Sequence, residues 1–286
     1  VDLPQGEEDK KDKQLRIPLM KPLIHFAHAN GIPSETYQKL FEALSDEYDI
    51  IYTTPVGANP RYPITNHWDY LVQQITDSIE SQANGREVIA LGHSLGSVLS
   101  YMVSNKRPDL IHQVIMLDPP FIMGTASLVF HLSKLFSPKM VDKITPAGLS
   151  KFRRDHWESR EQAAAQLSQK GFFKHFDRTC FDAYIQHGLT EDTVRGGVTL
   201  TIPKAAEVEI FRKNPSLWWL PQPKPKVPVD LVVGRDSQFY KRKFPHVAKR
   251  KLGIPFHVVD GGHMFPLEHP LDTVEKVKSL IRKDLL

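Results

Sequence analysis

The chain has 286 residues, 41% apolar and 24% charged, with 37 Lys+Arg against 33 Asp+Glu and a net charge of +4. This near-average composition excludes a wholly disordered chain, and the scattered cations form no nucleic-acid stripe. No apolar run approaches the ~20 residues of a membrane span, and the single Cys180 cannot form an internal disulfide.

Residues 1–13 are charged and read as a solvated tail. They lack the apolar h-region of a signal peptide, so the expected compartment is the cytoplasm, although a chain that starts at Val also fits a removed leader. Pro22 to Ala27 reads as a buried strand. The turn-like HANGIP follows, then a helix from Ser34, a suitable N-cap, to Ser45. Tyr48 to Thr53 is the second strand and Asn66 to Gln82 an amphipathic helix stopped by Asn84-Gly85. Val88 to Leu91 is the third strand, followed by GHSLGS and an apolar helix to about Asn105. Val114 to Leu117 is the fourth, ending in Asp118-Pro119-Pro120. Strand–helix alternation with unbroken apolar runs predicts an α/β fold with a mostly parallel sheet covered on both faces.

The rhythm breaks after Phe121. Up to Leu220 only VTLTI (198–202) reads as a strand, amid helical patterns and many aromatics. The proline-rich PQPKPKVPV then returns the chain to the sheet pattern. Val229 to Val233 and Pro255 to Val259 are strands. Gln238 to Leu252 is helical with a start or kink at Pro245, and Pro270 to Leu286 is a closing helix. The expected organisation is a tail (1–13), an α/β core (14–121 and 226–286) and a helical insert (122–225).

Gly92-His93-Ser94-Leu95-Gly96 sits between a strand and a helix, the context of a nucleophile elbow. Its glycines let backbone pass closely, and the serine hydroxyl stands at a helix N-terminus that favours an oxyanion. Serine needs a base to take its proton. His263, after Gly261-Gly262 and the last strand, is the candidate. The acid should lie between them in chain order, and Asp236, just past the strand 229–233, is the first choice. Asp118, at the end of the fourth strand, is the alternative. Asp230 stands at the wrong end of its strand. The oxyanion donors expected are the backbone N–H groups of Leu95 and Asn30, with Ala29 as an alternative to Asn30.

These residues resemble the α/β-hydrolase superfamily. The elbow GHSLGS, the GRD after the penultimate strand and the final GGHMFPLEHP match its patterns in order. Residues 28–33 look like its oxyanion loop, with Ala29 where glycine is usual. The likeness covers roughly 21–121 and 228–286. It implies the α/β-hydrolase fold, a triad of Ser94, Asp236 and His263, and a helical cap inserted after the strand ending at Asp118. Members acting on haloalkanes or epoxides carry Asp at the elbow, where this chain has Ser94.

The expected activity is hydrolysis of small carboxylic esters with an apolar acyl or alkyl portion through an acyl-enzyme. Alternatives on the same triad are a thioesterase, an amidase or iminopeptidase, a C–C bond hydrolase and a perhydrolase. One of another class is a non-catalytic binder of apolar molecules. A lipid-surface enzyme would use Trp218-Trp219 as an exposed anchor. The aromatics of the insert suit an apolar pocket or its own core. The mixed charges of 151–161 and the basic triplets at 241–243 and 249–251 read as solvated faces. No phosphate loop, GxGxxG, HExxH or CxxC occurs, so no metal and no organic cofactor is expected.

Overall fold

A computed structural model describes residues 20–282. The tail expected at 1–13 and residues 283–286 lie outside them, and the closing helix expected to run to Leu286 ends at Leu280, where Ile281 turns to extended backbone. The first half alternates β1 (Leu23–Ala27), α1 (Gln38–Leu44), β2 (Asp49–Tyr52), α2 (Asp69–Gln82), β3 (Val88–His93), α3 (Leu95–Lys106) and β4 (Ile111–Leu117). The insert holds α4 (Thr125–Phe136), α5 (Pro138–Ile144), α6 (Ala147–Ser150), β5 (His156–Trp157) and α7 (Arg160–Leu167). It continues through α8 (Arg178–His187), β6 (Leu189–Glu191), β7 (Val198–Leu200) and α9 (Lys204–Arg212). The chain then closes with β8 (Val229–Gly234), α10 (Gln238–Lys241), α11 (Phe244–Leu252), β9 (Phe256–Val259), α12 (Phe265–Glu268) and α13 (Pro270–Leu280).

Six strands form one parallel sheet in the order β2-β1-β3-β4-β8-β9. Every residue of β1, β3 and β8 is buried, which is why their sequences are unbroken apolar runs. Successive side chains leave opposite faces. Ile24 and Phe26 of β1 pack with α1 and α13, whereas Leu23 and Ala27 join the layer of α2, α3 and α11. Chain direction across the sheet reverses beside β1, so the C-terminal ends of β1 and β3 flank the natural site for chemistry.

Two local expectations are revised. Ser34 does not cap a helix: a 3-10 turn spans Ser34–Tyr37, and the Ser34 hydroxyl donates to the Thr53 carbonyl across 2.9 Å instead. The helical region at 238–252 is two helices, with Pro245 in the first turn of the second, where its missing N–H costs nothing.

The insert is not purely helical. β5, β7 and β6 form a small antiparallel sheet. Nor does it keep a core of its own: Trp157, Phe173, Phe176, Phe181 and Tyr184 belong to the same apolar cluster as Phe26, Tyr37 and Leu40.

Candidate active site

Ser94 makes the whole turn between β3 and α3. Its φ of 52° and ψ of −114° lie where an L-residue is strained. Three features hold it there. Its N–H donates to the Leu117 carbonyl (2.9 Å), and the Gly96 N–H donates to the His28 carbonyl (3.0 Å). The glycines supply the third: a methyl group on Gly92 would lie 2.5 Å from the Gly96 carbonyl, and one on Gly96 would run into the Ala27 carbonyl.

His263 follows β9, in the loop leading into α12. Its Nε2 is 3.0 Å from Ser94 Oγ and its Nδ1 is 2.6 Å from Asp118 Oδ2. The ring sits between Phe239, edge-on at 5.0 Å, and His93 at 5.3 Å. The Asp118 carboxylate also accepts from the Gly234 N–H (3.0 Å) and the Ser237 hydroxyl (2.5 Å). Asp118 is fully buried, so these donors replace the water it lacks. Strand register explains the meeting: His93 pairs with Leu117, so Ser94 and Asp118 leave adjacent strand ends side by side.

Asp236, the acid expected first, is not brought to His263. Its side chain is 72% exposed and faces Lys241 at 3.4 Å. The turn after β8 directs residue 236 outward and residue 237 inward. Asp236 serves the site through its backbone, donating N–H to the Gly261 carbonyl (3.0 Å) beneath the His263 loop. Asp230 lies at the far end of β8, with Gln113 and His257.

The loop after β1 lies against the elbow. Buried His28 spans it: Nδ1–H donates to the Ala29 carbonyl (2.8 Å), and Nε2 accepts the Val56 N–H (2.8 Å). Burial pushes its pKa down to about 4, which keeps this neutral tautomer. The Ala29 N–H is directed to the Tyr37 hydroxyl at 3.4 Å. The Asn30 side-chain amide donates to the Glu207 carbonyl (3.0 Å). Leu95 opens α3, where a backbone N–H has no partner within the helix.

Two supporting features were not read from the sequence. Tyr37 and His93 connect the loop after β1 to the His263 backbone: Tyr37 Oη lies 2.7 Å from His93 Nδ1, and His93 Nε2 lies 2.9 Å from the His263 carbonyl. Above the loop, Glu207 of α9 pairs with Arg153 (2.6 Å) and accepts the Ser150 hydroxyl (2.7 Å). Arg153 also reaches the Tyr184 hydroxyl at 3.2 Å. So Arg153, expected on a solvated face, is turned inward to a buried acid that lies more than fifty residues away in the sequence.

The alpha/beta hydrolase family model matches residues 26–277. With the fold and the elbow already described, the chain belongs to the alpha/beta hydrolase family, a family of hydrolytic enzymes. Among curated proteins none matches it. Several solved structures share its fold. E-2-(acetamidomethylene)succinate hydrolase superposes with a TM-score of 0.71 at 21% identity, covering 91% of each chain. The thioesterase domain from the curacin biosynthetic pathway gives 0.66 at 16%, covering 90% of this chain and 91% of that one. A marine microorganism esterase gives 0.61 at 15%, covering 92% and 96%.

Proposed function

We propose that the protein is a serine hydrolase in which Ser94 is the nucleophile, His263 the general base and Asp118 the acid. The observation that carries this reading is the 3.0 Å contact between Ser94 Oγ and His263 Nε2, with the Asp118 carboxylate on the other ring nitrogen. His263 takes the hydroxyl proton as Ser94 attacks a carbonyl carbon, and later gives it to the leaving alcohol. Asp118 holds the tautomer that leaves Nε2 free to accept, and it stabilises the imidazolium. Water then attacks the acyl-enzyme by the same route. The tetrahedral oxyanion is bound by the Leu95 N–H and by a donor from the loop after β1. Because the Ala29 N–H is engaged with Tyr37, the Asn30 N–H is the better second donor.

The bond proposed is a carboxylic ester with an apolar acyl or alkyl part, under an insert that acts as a cap. The apolar preference rests on the aromatic and aliphatic composition of the insert. An esterase and a thioesterase domain are among the proteins sharing the fold, which keeps a thioester in the comparison. A rate panel of p-nitrophenyl esters of rising acyl length, run beside a thioester and an anilide, tests the bond and the pocket depth. Fluorophosphonate labelling of Ser94 tests the nucleophile. Folded protein that neither labels nor turns over any member of the panel refutes the enzyme reading in favour of a binder.

A further inference from the structure

Helix α4 is set against its own amphipathicity. Ser127, Phe130 and Ser133 face inward, whereas Val129, Leu132, Leu135 and Phe136 stand in solvent. At helical spacing the four exposed residues share one face. The apolar face continues along the chain. Met140 and Ile144 lie one turn apart on the exposed side of α5, and Leu149 and Phe152 follow at 82% and 80% exposure. Single surface hydrophobics are ordinary, but this clustering within residues 129–152 marks a contact surface.

Its charge identifies the partner. Residues 125–154 hold six cations (Lys134, Lys139, Lys143, Lys151, Arg153 and Arg154), of which Arg153 is turned inward to Glu207, and one acid. That acid, Asp142, is held by Arg212 and Lys151. Lys139, Lys143 and Arg154 are exposed among the apolar residues. At the start of α4, a methyl group on Gly124 would lie 3.7 Å from Cε of Lys251 on α11. Residues 241–251 carry six basic side chains, all exposed, and no acid.

We propose that α4–α6 dock on an anionic lipid surface. The apolar residues enter the boundary between headgroups and acyl chains, and the cations meet acidic headgroups. A second copy of the chain suits this face poorly, since a two-fold contact would set Lys139 and Lys143 against cations of the same kind. Attachment is peripheral: no helix among the described residues is long and apolar enough to cross a membrane. Trp218-Trp219 is not the anchor, because Trp218 is buried edge-on to Phe121 at 4.5 Å.

Co-sedimentation of the full chain with phosphatidylcholine vesicles, with and without phosphatidylserine, tests this. Binding should require phosphatidylserine and weaken at high salt. The doubles Leu135→Ser/Phe136→Ser and Leu149→Ser/Phe152→Ser should each weaken it about tenfold or more. Their melting midpoints and rates on a soluble short-chain ester should not change. Binding is also read on Ser94→Ala protein, so it is judged apart from hydrolysis. The proposal is overturned by no pelleting with either vesicle, or by pelleting that the combined substitutions leave intact. A dimer in light scattering that these substitutions dissolve, without vesicle binding, also overturns it and assigns the face to a second copy.

Discussion

The Tyr37 hydroxyl donates to Nδ1 of His93 across 2.7 Å. The direction is set at the far side of the ring: the His263 carbonyl can only accept, so His93 Nε2 carries the proton and Nδ1 accepts from Tyr37, whose oxygen also accepts the Ala29 N–H. Burial pushes the His93 pKa down to about 3, so the ring stays neutral and one nitrogen remains free to accept. The Nε2 proton goes to the His263 carbonyl. Each bond fixes the direction of the next, and the run ties the proposed oxyanion loop to the backbone of the proposed base. We expect Tyr37→Phe to lower kcat about tenfold with KM nearly unchanged, since one bond of a buried network is worth roughly 1–2 kcal/mol. Steady-state kinetics on a short ester decides this. A variant whose KM rises while kcat holds would assign Tyr37 to substrate binding instead.

The two candidate acids give opposite expectations. Asp118→Asn should lower kcat by about four orders of magnitude, the scale seen when a triad loses its orienting carboxylate. Asp236→Asn should stay within about twofold of the parent, as its exposed side chain meets only Lys241. Ser94→Ala sets the floor, about 10⁶ below the parent. Rates measured on the three folded variants rank them, and a collapse in Asp236→Asn with Asp118→Asn active would reverse the assignment.

The elbow glycines are tested through stability. Gly96→Ala would drive a methyl group into the Ala27 carbonyl at the centre of the sheet. Rigid backbone on both sides leaves no cheap relaxation, so the loss should be about 3 kcal/mol or more. Gly85→Ala is the control: nothing crowds its Cβ, and its φ of +78° alone costs about 1 kcal/mol. Urea denaturation of both reads the difference, and equal midpoints would refute the close approach.

Acid should weaken the fold through buried histidines. His25, His28 and His93 have pKa values lowered from 6.5 to about 3, 4 and 3, mainly by burial. The unfolded chain therefore takes up protons near pH 6.5 while the folded chain does not. Stability is full above about 6.5 and falls as pH drops toward 4, by about 1 kcal/mol per histidine at pH 5.5. The melting midpoint should fall between pH 7 and 5. A flat profile there would show these rings to be protonated without cost.

Most of the sheet was legible because its strands are covered on both faces, and apolar runs such as Val88–Leu91 mark that burial directly. Ser94 and His263 were legible because their glycines encode tight backbone. The acid was harder. Asp118 and Asp236 both follow a strand, and the pairing of His93 with Leu117, which sets Asp118 beside Ser94, is a long-range fact. Distance from the strand end also separates them: Asp118 follows β4 at once, as Ser94 follows β3, whereas Asp236 comes two residues after β8. Tyr37, Arg153 and Glu207 carry no local signature, since their partners lie across the fold.

The aromatic anchorage of the insert also limits how a substrate gets in. Swinging the insert away as a rigid door would strip Trp157, Phe173, Phe176, Phe181 and Tyr184 from their shared cluster. At about 2 kcal/mol per large apolar side chain, that approaches 10 kcal/mol, comparable to the whole stability of a domain. A hinged opening of the whole insert is therefore too costly to accompany each turnover, and the insert stays seated on the sheet.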